Sequence, residues 1–233
     1  MDMTGVRGVL FDKDGTLFDF ARTWEAWAVS FLTRLAPDRD HRIRLGTAIG
    51  FDVTTEEFSP GSVVVAGTPG EVAAVLAQHL PQFSAEALVD VINAEAEAAP
   101  QAEAVPLVPL LEQLRAAGLM LGVATNDAER PARAHLDQAG VTQFFDFIAG
   151  FDSGHGAKPG PGQLHAFAAA TGLAPDQIVM VGDSTHDLHA GRAAGMRCVG
   201  VLTGLAPAEV LAPHADVIMD NIGGLPAWLA MQS

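Results

Sequence analysis

The sequence predicts an α/β fold, a three-layer sandwich with helices on both faces of a parallel sheet, and an all-helical module inserted after the first strand. Three observations carry that prediction. Apolar, β-branched segments recur at 6–11, 119–124, 147–149, 178–181 and 198–202, with helical patterns between the later ones; such alternation builds a buried parallel sheet. The later helical patterns stop at glycines, Gly118, Gly140, Gly172 and Gly195, each suited to a left-handed cap. Between the first strand and Leu119, helix signals continue without comparable strand alternation.

The first strand, ending Val9-Leu10-Phe11, runs into Asp12-Lys13-Asp14-Gly15-Thr16. Beyond it, Trp24, Trp27, Phe31, Leu32 and Leu35 form one apolar stripe at helical spacing, ended by Pro37, and read as core of the module. Thr68-Pro69-Gly70-Glu71 has capping-box spacing with Pro at the first helical position, so a helix is expected from there to about Leu80. Ser84 is expected to cap another. An Ala/Glu-rich run over 94–104 is expected to be helical and to end near Pro106, where the chain returns to the sheet. Helices follow over 107–117, 130–139, 163–171 and 188–194, and an edge strand is expected over 216–219. The expected division is a core from 1–18 and 104–233 and a module from 19–103.

At 233 residues the chain has room for such a core and module. No apolar run approaches the roughly 20 residues needed to cross a bilayer. The opening residues contain no basic stretch followed by an apolar one. No membrane partner and a cytoplasmic location are expected. Cys198 is the single cysteine and sits in an apolar segment, which excludes an intrachain disulfide and fits a reducing compartment. A formal net charge of −15 opposes nucleic-acid binding, which needs clustered basic residues. Lys13 and Lys158 are the only lysines, so an anionic ligand has to be met by a few focused positive groups, a divalent metal among them.

Four segments follow predicted strands, where open α/β sheets bind ligands. Asp12 and Asp14 lean to the same side of an extended segment, Gly15 permits the turn, and Thr16 is placed to hydrogen-bond within it. Alone, this pair fits an acidic turn better than a reactive site. Thr125-Asn126-Asp127 offers a hydroxyl and backbone N–H groups before a helix, a combination suited to phosphate oxygens. Lys158 holds an ammonium among turn residues, and Asp183 and Asp187 add two carboxylates after another apolar strand. A carboxylate facing a phosphate is repelled by it, so chemistry here requires neutralising charge from Lys158 and a metal. No glycine-rich nucleotide-binding loop is present.

In order, these segments resemble the four motifs of the haloacid-dehalogenase-like hydrolase superfamily: Asp-x-Asp-Gly-Thr, Thr-Asn, Lys-Pro and Gly-Asp-Ser-x-x-Asp. The resemblance spans residues 6–201, and the inserted module looks like the helical cap of phosphoglycolate-phosphatase-like members. It implies a Rossmann-like core and assigns Asp12 as nucleophile and Asp14 as acid/base. It makes Thr125, Asn126 and Lys158 the phosphate binders. It implies Mg²⁺ held at Asp12, Asp14, through its backbone carbonyl, and Asp183, with Gly15, Thr16 and Asp187 supporting the site. The activity implied is hydrolysis of a small phosphorylated metabolite through an aspartyl-phosphate. Lys13 occupies a position that is usually apolar in such relatives; it is expected to point away from Asp12 and Asp14, to solvent or to a neighbouring carboxylate.

Substrate choice is expected to lie in the cap. His41 to Gly50 is the leading candidate, because Arg42 and Arg44 suit a substrate carboxylate; Arg22 is a second. These residues favour 2-phosphoglycolate or a similar small phosphoester, with a sugar-phosphate phosphatase or phosphomutase as the alternative. Mutases of the superfamily typically carry a histidine soon after the first motif, where this chain has Phe18, Phe20 and Trp24. Phosphonate hydrolases need a cap lysine, and none lies between Lys13 and Lys158. A phospho-accepting signalling protein, the reading from a different class, has neither the module nor a second aspartate. His155, His186 and His189 are expected near the mouth of the site rather than as metal ligands, since Mg²⁺ prefers oxygen.

Overall fold

The computed structural model describes residues 5–231. The core begins with β1 (Gly8–Phe11), whose four residues are all buried. The chain then leaves the sheet for α1 (Phe20–Leu35) and α2 (Arg39–Ile49), started by the side chains of Asp19 and Asp38. A ribbon of β2 (Phe51–Asp52) and β3 (Glu57–Phe58) follows, then α3 (Val63–Ala66), α4 (Pro69–Ala77) and α5 (Ala85–Glu97). Thr68 and Glu71 form the expected capping box, and Ser84 caps α5. Back in the core come α6 (Leu107–Ala116), β4 (Met120–Ala124), α7 (Glu129–Gln138), β5 (Phe147–Ala149), α8 (Gly162–Thr171) and β6 (Ile178–Gly182). The chain closes with α9 (Thr185–Ala194), β7 (Arg197–Val201), α10 (Ala208–Leu211), β8 (Val217–Met219) and α11 (Leu225–Ala230).

Six parallel strands run in the order β5-β4-β1-β6-β7-β8 among the described residues. The pleat sends Val9, Phe11, Val179 and Val181 to one face, where they pack with Leu107, Leu111 and Leu225. Leu10, Ile178 and Met180 face the other side, against Leu164, Phe167 and Ala190. Burial on both faces explains why the strands read as continuous apolar runs. Strand order reverses on either side of β1, so the carboxyl end of β1 lies at the switch point where such sheets open a crevice.

The residues between α1 and α5 bury their own apolar cluster, including Trp27, Phe31, Leu45, Leu76, Leu88 and Ile92. Three expectations change there. The segment carries a small antiparallel ribbon as well as helices, with Phe51 and Phe58 paired across it and their rings 4.8 Å apart. The Ala/Glu-rich run over 94–104 does not form a separate helix, because α5 ends at Glu97 and Pro100 follows. The basic stretch 41–50 lies within a helix and its cap: Asp38 starts α2, Leu45 and Ile49 anchor it in the cluster, and left-handed Gly50 closes it.

Candidate active site

Strand register builds the site. Phe11 pairs with Val123 on one side and Val181 on the other, so Asp12, Thr125 and Asp183 leave three adjacent strands at nearly one level. The Asp12 N–H still donates to Val181 O at 2.8 Å, and Thr125 N–H donates to Ala149 O at 3.0 Å. Gly15 then turns the chain at φ 79°, a conformation that favours glycine. A side chain there would also collide with Asp183, since a Cβ would lie 2.3 Å from Asp183 Oδ2. Gly204 approaches Asp183 from the other direction under the same restriction. Two glycines therefore make the space in which Asp183 sits.

Lys158 reaches into this space and donates to Asp12 Oδ1 at 2.6 Å and Ala124 O at 2.7 Å, and pairs with Asp187 Oδ1 at 2.6 Å. Asn126 holds the Lys158 backbone from both sides, accepting from its N–H at 2.8 Å and donating to its carbonyl at 2.9 Å. Asp187 is fixed by its capping box with Ser184 at the start of α9. Carboxylate oxygens of Asp12, Asp183 and Asp187, all buried, lie within 4.8 Å of one another. Fully ionised, three carboxylates against one ammonium would leave two uncompensated negative charges in a buried space. Burial, reinforced by Asp187 and Asp14 and opposed by Lys158, pushes Asp12 up to about 7. Burial and the neighbouring Asp12 and Asp187 hold Asp183 well above the usual carboxylate range. Burial disfavours the Lys158 charge, yet Asp12 and Asp187 together outweigh it and keep the ammonium above its ordinary value.

The group fits a hard divalent cation. It supplies only oxygen ligands, its residual charge matches such an ion, and Asp183 Oδ2 is buried without a hydrogen-bond partner. The side-chain cluster contains Asp187 rather than Asp14. Asp14 instead turns its Oδ1 to Lys13 Nζ at 2.7 Å and to the Trp24 indole N–H at 2.9 Å.

Lys13 overturns the expectation that it points away from Asp14 or reaches solvent. It is fully buried, paired with Asp14 and, at 3.3 Å, with Asp127. Burial opposes its charge, but those two carboxylates hold the ammonium above its ordinary value. Its Nζ also lies 3.0 Å from His135 Nδ1, while His135 Nε2 lies 2.7 Å from Ala96 O at the end of α5. An ammonium can only donate, so Nδ1 accepts and the proton sits on Nε2, facing Ala96. Burial, with the Lys13 charge, pushes His135 down to about 4 and keeps it neutral. Burial pushes Asp127 up to about 6, against the pull of Lys13.

The cavity above these groups is lined on the core side by Asp12, Asp14, Thr125, Asn126, Lys158, Asp183, His186 and Asp187. Thr125 Oγ accepts from Asp127 N–H at 3.0 Å, which leaves its own proton free to donate. The Asn126 amide is occupied by Lys158 and by Ala66 O, so it positions the Lys158 turn and the edge of α3. Thr16 Oγ is buried without a partner, contrary to the hydrogen bond expected of it. Arg22, Arg42 and Arg44 are not brought to the cavity. Arg22 and Arg44 are exposed, and Arg42, half-buried on the same helical stripe as Leu45 and Ile49, donates to Ala36 O and Pro37 O at the end of α1. His155 and His189 are exposed and absent from the lining, whereas His186 joins it.

Several contributors were not singled out from sequence. Trp24 and Trp27 belong to the module core and also line the cavity. Thr203 donates to Gly15 O at 2.6 Å, and Thr203-Gly204 follows β7 in the same way that the other motif residues follow their strands. That strand-end position was the available signal. Nothing local marks His135, whose partner Lys13 is 122 residues away.

The chain matches the family model for haloacid dehalogenase-like hydrolases over residues 6–195. It is 32% identical to a phosphoglycolate phosphatase of Pseudomonas putida over 223 residues, which covers 94% of this chain and 78% of that protein. It is 37% identical to a phosphoglycolate phosphatase of Rhodospirillum rubrum over 120 residues, 52% of this chain and about half of that protein, at 50%. The crystal structure of a predicted phosphoglycolate phosphatase from Haemophilus somnus shares the fold, with a TM-score of 0.74 at 21% identity over 97% of this chain and 99% of that one. Strand order, the carboxylates at the strand ends and the match over 6–195 agree: this chain belongs to the haloacid dehalogenase-like hydrolases.

Proposed function

We propose that the protein is a Mg²⁺-dependent phosphomonoesterase that hydrolyses a small phosphorylated metabolite through an aspartyl-phosphate on Asp12. The observation that carries this reading is the meeting of Asp12, Lys158 and Asp183 beneath a cavity that Asp14 also lines. Mg²⁺ held by Asp12, Asp183 and the Asp14 backbone carbonyl would supply charge neutralisation at the phosphoryl oxygens. Lys158 engages Asp12 Oδ1, which leaves Oδ2 as the attacking oxygen. The free Thr125 proton meets a phosphoryl oxygen, and the charge of the Lys158 ammonium, held by Asp12, Ala124 O and Asp187, offsets the incoming dianion. As the phosphorus–Oδ2 bond forms and the ester bond breaks, Asp14 gives its proton to the leaving oxygen. Water then attacks phosphorus, Asp14 takes a proton back, and Asp12 is released.

Residues 19–103 act as the cap and 1–18 with 104–233 as the core in this reading, the cap excluding water during the transfer. A cytoplasmic setting suits the free, buried thiol of Cys198. The support for 2-phosphoglycolate as substrate is the name carried by the Pseudomonas putida and Rhodospirillum rubrum relatives. The arginine pair that would favour a carboxylated substrate is not on the cavity wall.

Asp12→Asn is expected to lower steady phosphate release from a phosphoester panel by about 10³-fold or more; wild-type turnover would show that another group attacks. Lys13→Met leaves Asp14 and Asp127 without their buried cation and is expected to destabilise the chain by about 3–5 kcal/mol, read from urea midpoints. Stability of the metal-free protein is expected to fall as pH rises from about 4 to 7. Asp12, near 7, and Asp127, near 6, hold protons in the folded state that the unfolded chain has already lost, and together they outweigh His135, which is held near 4 and acts in the opposite sense. Their contribution is complete below the unfolded carboxylate value and is lost as pH rises through the folded values. Urea midpoints in EDTA that climb across this interval would contradict the assignment.

A further inference from the structure

The side of the cavity opposite Lys158 has a composition that the catalytic reading does not use. Every module residue on that wall is apolar, with Trp24, Trp27, Val64, Val65, Val72 and Ile92 supplying most of its side chains. No arginine or lysine of the module reaches it. A leaving group bearing a second anion would therefore have no cation of its own on this wall, a costly arrangement away from water. A polyhydroxylated leaving group would find almost no hydrogen-bond partners there, and its hydroxyls would lose water without replacement.

Trp27 adds a second, independent observation. It is only 5% exposed, and its indole N–H is buried without an acceptor. Trp24 has spent its own N–H on Asp14. The Trp27 ring stacks on Phe31 at 4.7 Å and meets Trp24 edge-to-face at 5.1 Å, so its position is fixed by packing. A ring fixed in this way gives the wall a rigid aromatic surface. An adjoining cavity of about 390 Å³ shares Val65, Ala66, Ser184 and His186 with this one and extends the space available.

We propose that the leaving group of the phosphoester is uncharged, with an apolar body lying against Trp24, Trp27 and the valines of α3. This rests on the phosphatase reading and narrows it to neutral aryl or alkyl phosphomonoesters over carboxylated or sugar phosphates. The ester that enters is a dianion only at its phosphoryl end, where Lys158 and the carboxylate-held metal meet it.

The test is phosphate release by the purified full chain with Mg²⁺ from n-butyl phosphate, phenyl phosphate, 2-phosphoglycolate and glucose 6-phosphate. The n-butyl alkoxide is no better a leaving group than that of glycolate, so this comparison isolates binding. We expect kcat/KM for n-butyl and phenyl phosphate to exceed that for 2-phosphoglycolate and glucose 6-phosphate by about tenfold or more. Val64→Lys, which puts a cation on the half-buried edge of α3, is expected to move the ratio toward 2-phosphoglycolate. Preference of the wild type for 2-phosphoglycolate or the sugar phosphate overturns the neutral leaving group while leaving the phosphatase reading intact. Failure to hydrolyse any ester removes the phosphatase reading and this inference with it.

Discussion

A buried charge deficit at the ends of β1 and β6 governs this structure. Asp12, Asp183 and Asp187 converge where water is largely absent, and Lys158 answers only part of their charge. Such a group persists only if the surrounding fold over-determines it. Here it does: parallel register sets Asp12 and Asp183 side by side, Gly15 and Gly204 leave room for the Asp183 carboxylate, Asn126 grips both sides of the Lys158 peptide unit, and a helix cap fixes Asp187. In the proposed function, the same deficit is what draws a cation to the site and, through it, a phosphate. Stability given up in gathering the carboxylates is recovered when a cation binds.

A second buried cation ties this centre to the module. Lys13 holds Asp14 in reach of the cavity, and through His135 it meets the carbonyl of Ala96 at the end of α5. Trp24 of α1 also grips Asp14, and Asn126 reaches the carbonyl of Ala66 in α3. Three helices of the module therefore contact the catalytic end of the sheet through directional bonds, two of them to backbone carbonyls. Between these contacts, apolar residues of the module line the cavity.

Much of this was legible in the sequence because it is encoded locally. Strands buried on both faces read as apolar runs, left-handed glycines mark helix ends, and Thr68 with Glu71 announces a capping box. The carboxylates, Thr125 and Lys158 were legible because each follows a strand of a parallel sheet. What escaped is encoded by distant partners. A lysine after a strand reads as a surface residue, and Lys13 is buried only because Asp127 and His135, far along the chain, receive it. Arg42 and Arg44 looked like a substrate clamp until Asp38 and Gly50 confined their segment to a helix with its apolar face inward. Trp24 and Trp27 follow a core periodicity and are core, but a helix lying over a cavity gives the same stripe two roles.

The central claim is that the site around Asp12 is short of positive charge and is completed by a divalent cation. Titration calorimetry of Mg²⁺ into the metal-free protein near pH 6.5, in two buffers of different ionisation enthalpy, tests it most directly. The account predicts saturable binding of about one ion per chain with release of about one proton, as carboxylates held protonated by burial and mutual repulsion become ligands. Absence of saturable binding, or binding that releases no proton, would contradict it.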